Sequence, residues 1–491
     1  MTPAPAHAPD LRVTGTVFGR GAQACALVSA TILVGIAALT LGPLYLLPLI
    51  ALVAWYAIMR IAAKPSMVLV WIALYSLLGD KMIVSTGIGE GQGLLRFGPL
   101  LSVVLLAAML LVDNHTRMAA RDVVNWGTPA VLFAAAGAVL PVLGVMSGSP
   151  VRTITAAIPP LAMGASLVFG VLIARSEIDP DRGRYLVLLT VSWAAAAVAA
   201  LLFLFNRGIV LPLAREFNQW GVATAQAHGN TWLIGRTSGV YTSPNVLAIL
   251  GGLTLLFAVF GRLVFRQRVA LAIPAFAILF VTQSRTVIFA TGVAIVIGAI
   301  FGKRRPGLTR WRTMLGWALV VMLVAAALIG ASAVFPQYVE SLTGRITAAV
   351  RIFSEGPQAD RNFAGRVAFW KSAWTLFQQR PLGTLGPPEL ALGTAVDNDY
   401  LRFIVQGGIL YAGMWIFYVT WLVTTGLAHG DDRFIGAGGI FLALTALALT
   451  PSTYVMVIGV FSLFVGMHIE HIRRHNLEPC TRHHSQETGA I

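Results

Sequence analysis

The sequence predicts an all-α polytopic membrane protein with about 12–14 transmembrane helices. Hydrophobic residues make up 57% of the 491 residues, and the mean hydropathy is +0.77. Charged residues make up only 11%, against about 25% in soluble domains. The apolar runs can also be drawn with no Asp, Glu, Lys or Arg inside them other than Arg402, the second residue of the run 401–427, as a bilayer core requires. This pattern excludes a soluble globular protein.

The apolar runs follow one another along the chain, with short connectors between most of them. In order, they cover residues 21–41, 44–59, 66–79, 97–112, 127–146, 153–174, 185–205, 241–261, 269–283, 286–302, 313–334, 401–427, 434–450 and 453–469. Two longer polar segments interrupt this series. They divide the chain into an N-terminal tail (1–20), a helical bundle (21–334) with a smaller loop at 206–240, a large loop (335–400), the C-terminal helices (401–470) and a tail (471–491).

The basic connectors set the predicted orientation. With the N-terminus in the cytoplasm, nearly every cytoplasmic connector is basic, as in the run Lys303-Arg304-Arg305. Both termini are then cytoplasmic, and in a bacterium the chain lies in the inner membrane with its two long loops in the periplasm. The same rule explains the net charge of +15 and the pI near 10.6, so no nucleic acid is expected as a partner. Cys25 and Cys480 lie in an apolar run and in the tail, which predicts neither a disulfide nor a thiolate metal site.

The large loop contains a predicted amphipathic helix over residues 365–377. Its apolar side chains share one face at helical spacing: Phe369, Trp370, Ala373, Trp374 and Phe377. Pro381 ends this helix. Such a helix is expected to lie in the lipid headgroup region with its aromatic side chains buried. The plainer interpretation is an inert interfacial anchor.

Arginines on the predicted outer side form the first candidate site. The positive-inside rule predicts few there, yet the loops and turns carry Arg215, Arg236, Arg285, Arg345, Arg361 and Arg366. A guanidinium offers two parallel donors that suit a phosphate, and each charge-assisted hydrogen bond contributes about 1.5–3 kcal/mol. Several such side chains are predicted to bind a lipid-linked pyrophosphate and to stabilise it as a leaving group. The alternative is contact with lipid headgroups or ion pairing with loop acids.

Arg285 is the most specific of these arginines and the one to which we assign a catalytic role. It lies in the turn 282–285 between two apolar runs at the outer membrane face. An arginine exposed at the bilayer centre costs at least about 2.5–3.5 kcal/mol, so Arg285 is expected near headgroups or in a polar cavity. Arg236 precedes a second turn, where Ser243 is predicted to cap a helix that has Pro244 at its first position.

The end of the large loop supplies the candidate catalytic carboxylates, in the segment Asp397-Asn398-Asp399-Tyr400. Asp397 or Asp399 is predicted to take a proton from an attacking hydroxyl, and Asn398 and Tyr400 are candidate substrate-binding residues. Two alternatives stay open: Asp399 only caps the next helix, or His228 in the smaller loop is the base. The chain has no P-loop, GxSxG or HExxH motif, so no metal or other cofactor is expected.

Three stretches together resemble the bacterial O-antigen ligase and polymerase superfamily. They are Arg236…Gly239…Pro244-Asn245, then Ser284-Arg285, then Gly365-Arg366…Trp370…Pro381-Leu382-Gly383 leading to the 397–401 segment and Gly407-Gly408. The resemblance spans roughly residues 230–415. It rests on the order of the motifs, with the large loop between the last two.

This resemblance implies an inverting, metal-independent, GT-C-like glycosyltransferase that moves a glycan from an undecaprenyl-pyrophosphate carrier at the periplasmic face. Arg236 and Arg285 match the positions that would bind the pyrophosphate. Ligases of this superfamily tend to carry a histidine near the start of the helix after the large loop, where this chain has residues 397–400 instead. This difference favours a Wzy-type polymerase of O-antigen or exopolysaccharide over a ligase.

Three functions therefore stand in order. The first is a polymerase that extends a glycan by lipid-linked repeat units, surrounded by membrane lipids, with the chain-length regulator and the flippase of the same pathway as expected protein partners. The second is a ligase that transfers glycan to lipid A–core. The third is a transporter of polysaccharide or lipid-linked sugar, but the sequence shows neither ionisable residues near the bilayer midplane nor inverted repeats.

Overall fold

The computed structural model describes residues 67–78, 83–85, 94–144, 150–176, 179–205, 241, 243–301, most of 343–386, 392, 397–428 and 432–487. Within 343–386, residues 345–346, 348–350, 353 and 360 lie outside the described set. The predicted spans at 21–41, 44–59 and 313–334 also lie outside it, as does the smaller loop at 206–240.

The first part of the described chain contains one short hairpin and a series of apolar helices. The elements are α1 (Met67–Leu78), β1 (Ile83–Ser85), β2 (Leu94–Arg96), α2 (Phe97–Val112), α3 (Asn114–Trp126), α4 (Thr128–Gly144), α5 (Pro150–Arg175) and α6 (Pro180–Phe205). The two strands pair antiparallel, with Ile83 opposite Arg96. Asp113 caps α3 by accepting hydrogen bonds from the backbone N–H groups of His115 and Thr116, and the chain bends there by 114°.

The second part contains the helices that carry the motifs. They are α7 (Pro244–Phe260), α8 (Phe265–Thr282), α9 (Arg285–Phe301), α10 (Arg361–Gln379), α11 (Asp399–Ala428), α12 (Arg433–Ala446) and α13 (Ser462–Glu487). A π-helical turn, Met456–Phe461, runs into α13. Ser243 caps α7 through the N–H of Asn245, with Pro244 at the first helical position, as the sequence predicted.

The prediction of an all-α polytopic membrane protein is confirmed. By length and composition, five described helices can cross a membrane: Ala156–Arg175, Pro180–Ala200, Phe265–Thr282, Asp399–Ala428 and Met456–Asn476. The bent pair Ser102–Leu111 and Asn114–Trp126 adds a sixth if it counts as one span, and α4, α7, α9 and α12 are shorter apolar helices. The total of about 12–14 stays a prediction because several predicted spans lie outside the described residues.

Aromatic side chains form the centre of the packing between α4 and α11. The ring of Phe133 stacks on Tyr411 and Tyr418 and meets Phe403 and Trp415 at an angle, with ring centroids 5.1–5.7 Å apart. Each such pair contributes about 0.5–1.5 kcal/mol beyond the burial of its area. This cluster holds the long helix α11 firmly in the bundle.

Helices α5 and α13 cross closely because a glycine lies on each side of the contact. A Cβ atom at Gly466 would lie 2.1 Å from the carbonyl oxygen of Leu167, and one at Gly170 would lie equally close, at 2.1 Å, to that of Leu463. Small residues at a helix crossing let two backbones approach in a membrane, where the hydrophobic effect does not drive helices together.

Buried charges tie the helices together at one end of the bundle, which we call the charged end. Arg184 donates two hydrogen bonds of 2.8 Å to the carboxylate of Asp432, and His468 Nδ1 lies 2.9 Å from the same carboxylate. Burial alone would raise the pKa of Asp432, but Arg184 and His468 outweigh this effect and hold the pKa below its usual range. Nearby, Glu470 accepts hydrogen bonds from Arg175 and Arg473.

Asp432 is the carboxylate that accepts the two shortest hydrogen bonds of the buried Arg184, so removing it leaves that guanidinium poorly paired. We therefore expect Asp432→Asn to destabilise the protein by about 3–5 kcal/mol, since the buried Arg184 then keeps only its longer, 3.3 Å pair with Asp181. The measurement is the thermal unfolding midpoint of the purified protein in detergent. Glu355→Gln is the control, because Glu355 forms an exposed 3.9 Å pair with Arg351 and its loss costs at most about 1 kcal/mol. Equal midpoints for the two variants would contradict the assignment.

Candidate functional site

The sequence motifs gather at the end of the bundle opposite the charged end, which we call the site end. Ser284 Oγ lies 3.1 Å from Asn245 Oδ1, so the turn between α8 and α9 touches the start of α7. The backbone N–H of Asp399 donates to the carbonyl of Leu449 at 3.2 Å, which joins the start of α11 to the segment after α12. The first contact joins two of the sequence motifs, Pro244-Asn245 and Ser284-Arg285.

The turn before α9 is held in an unusual backbone conformation. Gln283 is buried and has a φ of 49°, in the left-handed region that a side chain other than glycine seldom adopts. It ends α8 with a hydrogen bond from its N–H to the carbonyl of Leu279. The chain then turns at once, and the half-buried Arg285 is the first residue of α9. The N-terminus of a helix carries a partial positive charge. Both this charge and the charge of Arg285 therefore favour an anion at this position.

Helix α11 is broken near its start, and the large loop repairs the break. Gly407 and Gly408 have non-helical backbone angles, and Gly408 has a φ of 67°. The carbonyl groups of the preceding turn instead accept hydrogen bonds from the loop: Thr384 N–H to Val405 O at 2.7 Å, and Leu385 N–H to Gln406 O at 2.9 Å. We call this contact the loop clamp.

Two glycines make the loop clamp possible. A Cβ atom at Gly383 would lie 2.6 Å from the carbonyl oxygen of Gln406, and one at Gly408 would lie 2.5 Å from that of Pro381. Gly383 also has a positive φ, at 86°. The motif residues Pro381-Leu382-Gly383 and Gly407-Gly408 are therefore the two sides of a single backbone contact.

The helix expected over residues 365–377 is present and is longer, as α10. Its buried residue Ala373 packs against Val405 of α11, and Leu376, Phe377 and Leu401 surround this contact. Phe369 and Trp374 are exposed, 44% and 46%, so these two aromatic side chains face away from the protein. The expected location of α10 at the membrane surface stays a prediction.

Asp397 and Arg366 face each other beside this contact. Arg366 Nε lies 3.6 Å from Asp397 Oδ2, an ion pair that is too long for a good hydrogen bond. The Asp397 side chain is 47% exposed. Its partial removal from water raises the pKa of Asp397, and the guanidinium of Arg366 offsets only part of this rise. Asp397 is thus an accessible carboxylate with an adjacent cation and an elevated basicity.

The next two residues have structural partners. Asn398 caps α11, since its Oδ1 accepts from the N–H of Leu401 at 3.0 Å, and its Nδ2 donates to the carbonyl of Leu447 at 2.9 Å. Asp399 is fully buried, and its carboxylate accepts from Ser452 N–H at 2.9 Å and from Ser452 Oγ at 2.8 Å. The cap of α11 is therefore Asn398.

Tyr400 and Tyr454 complete this side of the site. Tyr400 donates from its hydroxyl to the carbonyl of Ala443 at 3.1 Å. Burial, followed by the negative charge of Asp397, raises the pKa of Tyr454 to about 12. The phenol of Tyr454 therefore stays protonated at neutral pH.

Sequence reasoning missed Ser452 and Tyr454. They lie in 450–454, a run of five residues of which three are Ser or Thr, and the predicted spans 434–450 and 453–469 left almost no connector there. The polar run between two apolar spans was the available signal. It marks a segment that leaves the helical pattern to meet residues 397–399.

The remaining predicted site residues have varied positions. Arg361 is the first residue of α10. The residues that lie outside the described set are Arg215, Arg236, His228 and Arg345. Their predicted roles, the choice between Asp397 and Asp399, and the absence of a metal all stay predictions.

Fold and site together define a multi-pass helical membrane protein with arginines and a carboxylate gathered at one end of its bundle. Residues 269–427 of the chain match the family described as O-antigen ligase. This match confirms the resemblance to the O-antigen ligase and polymerase superfamily and supports a function of that general type. It covers the turn at 283–285, α10, the loop clamp and residues 397–399. A search of curated proteins found no match.

The loop clamp yields a direct test. Gly408→Ala is expected to destabilise the protein, because the left-handed backbone alone costs about 1–3 kcal/mol and the new methyl group would collide with the Pro381 carbonyl. The measurements are the unfolding midpoint and the rate at which a protease cleaves the loop at residues 381–386, which should rise. Gly413→Ala in the same helix is the control, since nothing lies within 4 Å of its Cβ position. If Gly408→Ala behaved like this control, the loop clamp would have no energetic role.

Proposed function

We propose that the protein is a glycosyltransferase at the periplasmic face of a bacterial inner membrane that polymerises undecaprenyl-pyrophosphate-linked repeat units into O-antigen or exopolysaccharide. The observation that carries the proposal is the half-exposed Asp397 carboxylate, paired at 3.6 Å with Arg366 inside a region that matches the O-antigen ligase family. Such a transfer requires a base and cations, and the carboxylate and the arginines at the site end are groups that can supply them.

The proposed reaction uses the carboxylate as a general base. Asp397 accepts the proton of an acceptor sugar hydroxyl while that oxygen attacks the anomeric carbon of the lipid-linked glycan. The bond from the anomeric carbon to the pyrophosphate oxygen breaks as the glycosidic bond forms, so the configuration inverts. The undecaprenyl pyrophosphate leaves with the electron pair. The elevated pKa of Asp397 favours this role, because it makes the carboxylate a stronger base.

Arginines are proposed to neutralise the leaving group. Arg285 has the position best suited to this task, at the first residue of α9, where the helix N-terminus adds its own partial positive charge. Arg366 is proposed to contact the same substrate from the other side of Asp397. Arg215, Arg236, Arg345 and Arg361 are proposed to extend the binding surface over the glycan and the pyrophosphate.

A ligase that transfers finished glycan from undecaprenyl pyrophosphate to lipid A–core is the second candidate. One observation favours it: the family that matches residues 269–427 is described as O-antigen ligase. The polymerase is preferred because the segment 397–400 carries carboxylates and no histidine. In either case the protein is proposed to work beside the flippase and the chain-length regulator of its pathway.

Replacing Arg285 distinguishes the two candidates. Arg285→Ala is expected to slow transfer by about 10²–10³-fold, the usual effect of losing one donor to a developing anion. The measurement is the glycan profile of cells that carry the variant in place of the native protein, after its insertion into the membrane has been verified. Loss of long chains with accumulation of single repeat units supports the polymerase. Long chains that remain on the lipid carrier indicate the ligase.

Arg351→Ala is the matched control for this experiment. Arg351 is an exposed arginine of the large loop, paired with Glu355, and its loss should leave the profile unchanged. An unchanged profile for Arg285→Ala would remove Arg285 from the proposed pyrophosphate site and would favour a transporter.

The pH dependence of transfer tests the base. Because a base must be deprotonated, activity should fall as the pH decreases through the pKa of Asp397. Arg366 lowers that pKa, so Arg366→Gln should move the acidic limb of the pH profile to higher pH. Lys371→Gln, an exposed residue of the same helix, should leave the limb in place. A limb that moves to lower pH, or does not move, would argue against Asp397 as the base.

A further inference from the structure

The segment after α12 forms one wall of the site end. Residues 447–454, which we call the strap, touch the loop segment 397–399 through four hydrogen bonds of 2.8–3.2 Å. Two of these come from Ser452 and end on the same carboxylate, that of Asp399. The strap lies beyond residue 427, outside the part of the chain that matches the O-antigen ligase family.

The two carboxylates of this segment differ sharply in their surroundings. Asp399 is 0% exposed and both of its oxygens accept hydrogen bonds from Ser452. The side chain of Asp397 is 47% exposed and faces the guanidinium of Arg366. A substrate hydroxyl can reach Asp397, whereas Asp399 is enclosed by the strap.

We infer that Ser452 is a positioning residue for the transfer reaction: by binding Asp399 it fixes the turn from which the Asp397 carboxylate projects toward the acceptor hydroxyl. This inference rests on the proposed function and adds a residue to it. Asn398 supports the same turn from the other side, because its side chain joins the N-terminus of α11 to Leu447 of the strap.

The physical reason is the precision that proton transfer demands. Asp397 is separated from Asp399 by a single residue, and it lies before the helix, where no helical hydrogen bond holds it. A misplacement of about 1 Å in a reacting group costs about 10²-fold in rate. Ser452 supplies both a backbone and a side-chain donor to Asp399, so it restricts the turn in position and in rotation.

The test compares five variants of the full-length protein in lipid nanodiscs, one of which is a control. The donor is the lipid-linked oligosaccharide that accumulates in a host strain deleted for this protein, and chain extension is measured per amount of folded protein. Asp397→Asn should reduce kcat by about 10²–10⁴-fold, as expected for loss of a general base. Ser452→Ala should reduce kcat by about 10-fold while KM for the donor changes by less than about 2-fold, since only the position of the base is affected.

Two further changes separate positioning from catalysis and from folding. Asp399→Asn should keep at least about a tenth of the activity, because an amide can still accept from the Ser452 N–H and donate to its hydroxyl. Ser452→Thr, which retains the hydroxyl, should restore most of the activity that Ser452→Ala loses. Thr453→Ala is the control: its hydroxyl bonds to the carbonyl and the hydroxyl of Thr450 within the strap, and its loss should leave kcat unchanged.

Several results would overturn the inference. Ser452→Ala with wild-type kcat would show that the strap does not position the base. Asp399→Asn as inactive as Asp397→Asn would make Asp399 itself the base. These outcomes differ from failure of the proposed function, which would be seen as an active Asp397→Asn variant or as a native protein that does not extend the lipid-linked donor.

Discussion

Backbone groups inside a membrane have no water to bind, so a break in a spanning helix must be repaired by another part of the chain. Helix α11 has such a break at Gly407-Gly408, and it frees the carbonyls of Val405 and Gln406. The loop clamp supplies their donors from Thr384 and Leu385. This one requirement fixes the large loop to the bundle. It also places α10 against the first turns of α11, and with it Arg366 opposite Asp397.

Charges at the two ends of the bundle have opposite surroundings. At the charged end, Asp432 is held by Arg184 and His468, and all three side chains are buried. Such an arrangement holds helices together and leaves no group accessible to a substrate. At the site end, the Arg366–Asp397 pair is longer and partly exposed. A long and partly solvent-exposed ion pair contributes little to stability, but it is accessible to a phosphate or a hydroxyl of a substrate.

Local sequence patterns predicted most of the helices that the structure describes. Apolar runs located the spans, a Ser-Pro pair located the start of α7, and aromatic spacing located α10. These patterns did not predict which side chains on different helices form hydrogen bonds with each other. Arg184 and Asp432 are 248 positions apart, and Asp399 and Ser452 are 53 apart. Hydrogen bonds of this kind depend on which helix ends meet in space, and no periodicity within one helix encodes that.

The Asp397-Asn398-Asp399 segment shows most clearly what local sequence patterns cannot predict. From the sequence, either carboxylate is an equally good base, and Asp399 is the better candidate for a helix cap. Packing makes the two carboxylates different. The strap encloses Asp399, whereas Asp397 is partly exposed to solvent, and Asn398 rather than Asp399 caps α11. A carboxylate that is already bound to two donors is a poor proton acceptor, while one that is partly desolvated beside a single cation remains available. The different surroundings of the two carboxylates therefore depend on a segment about fifty residues away in the chain, outside the part that matches the O-antigen ligase family.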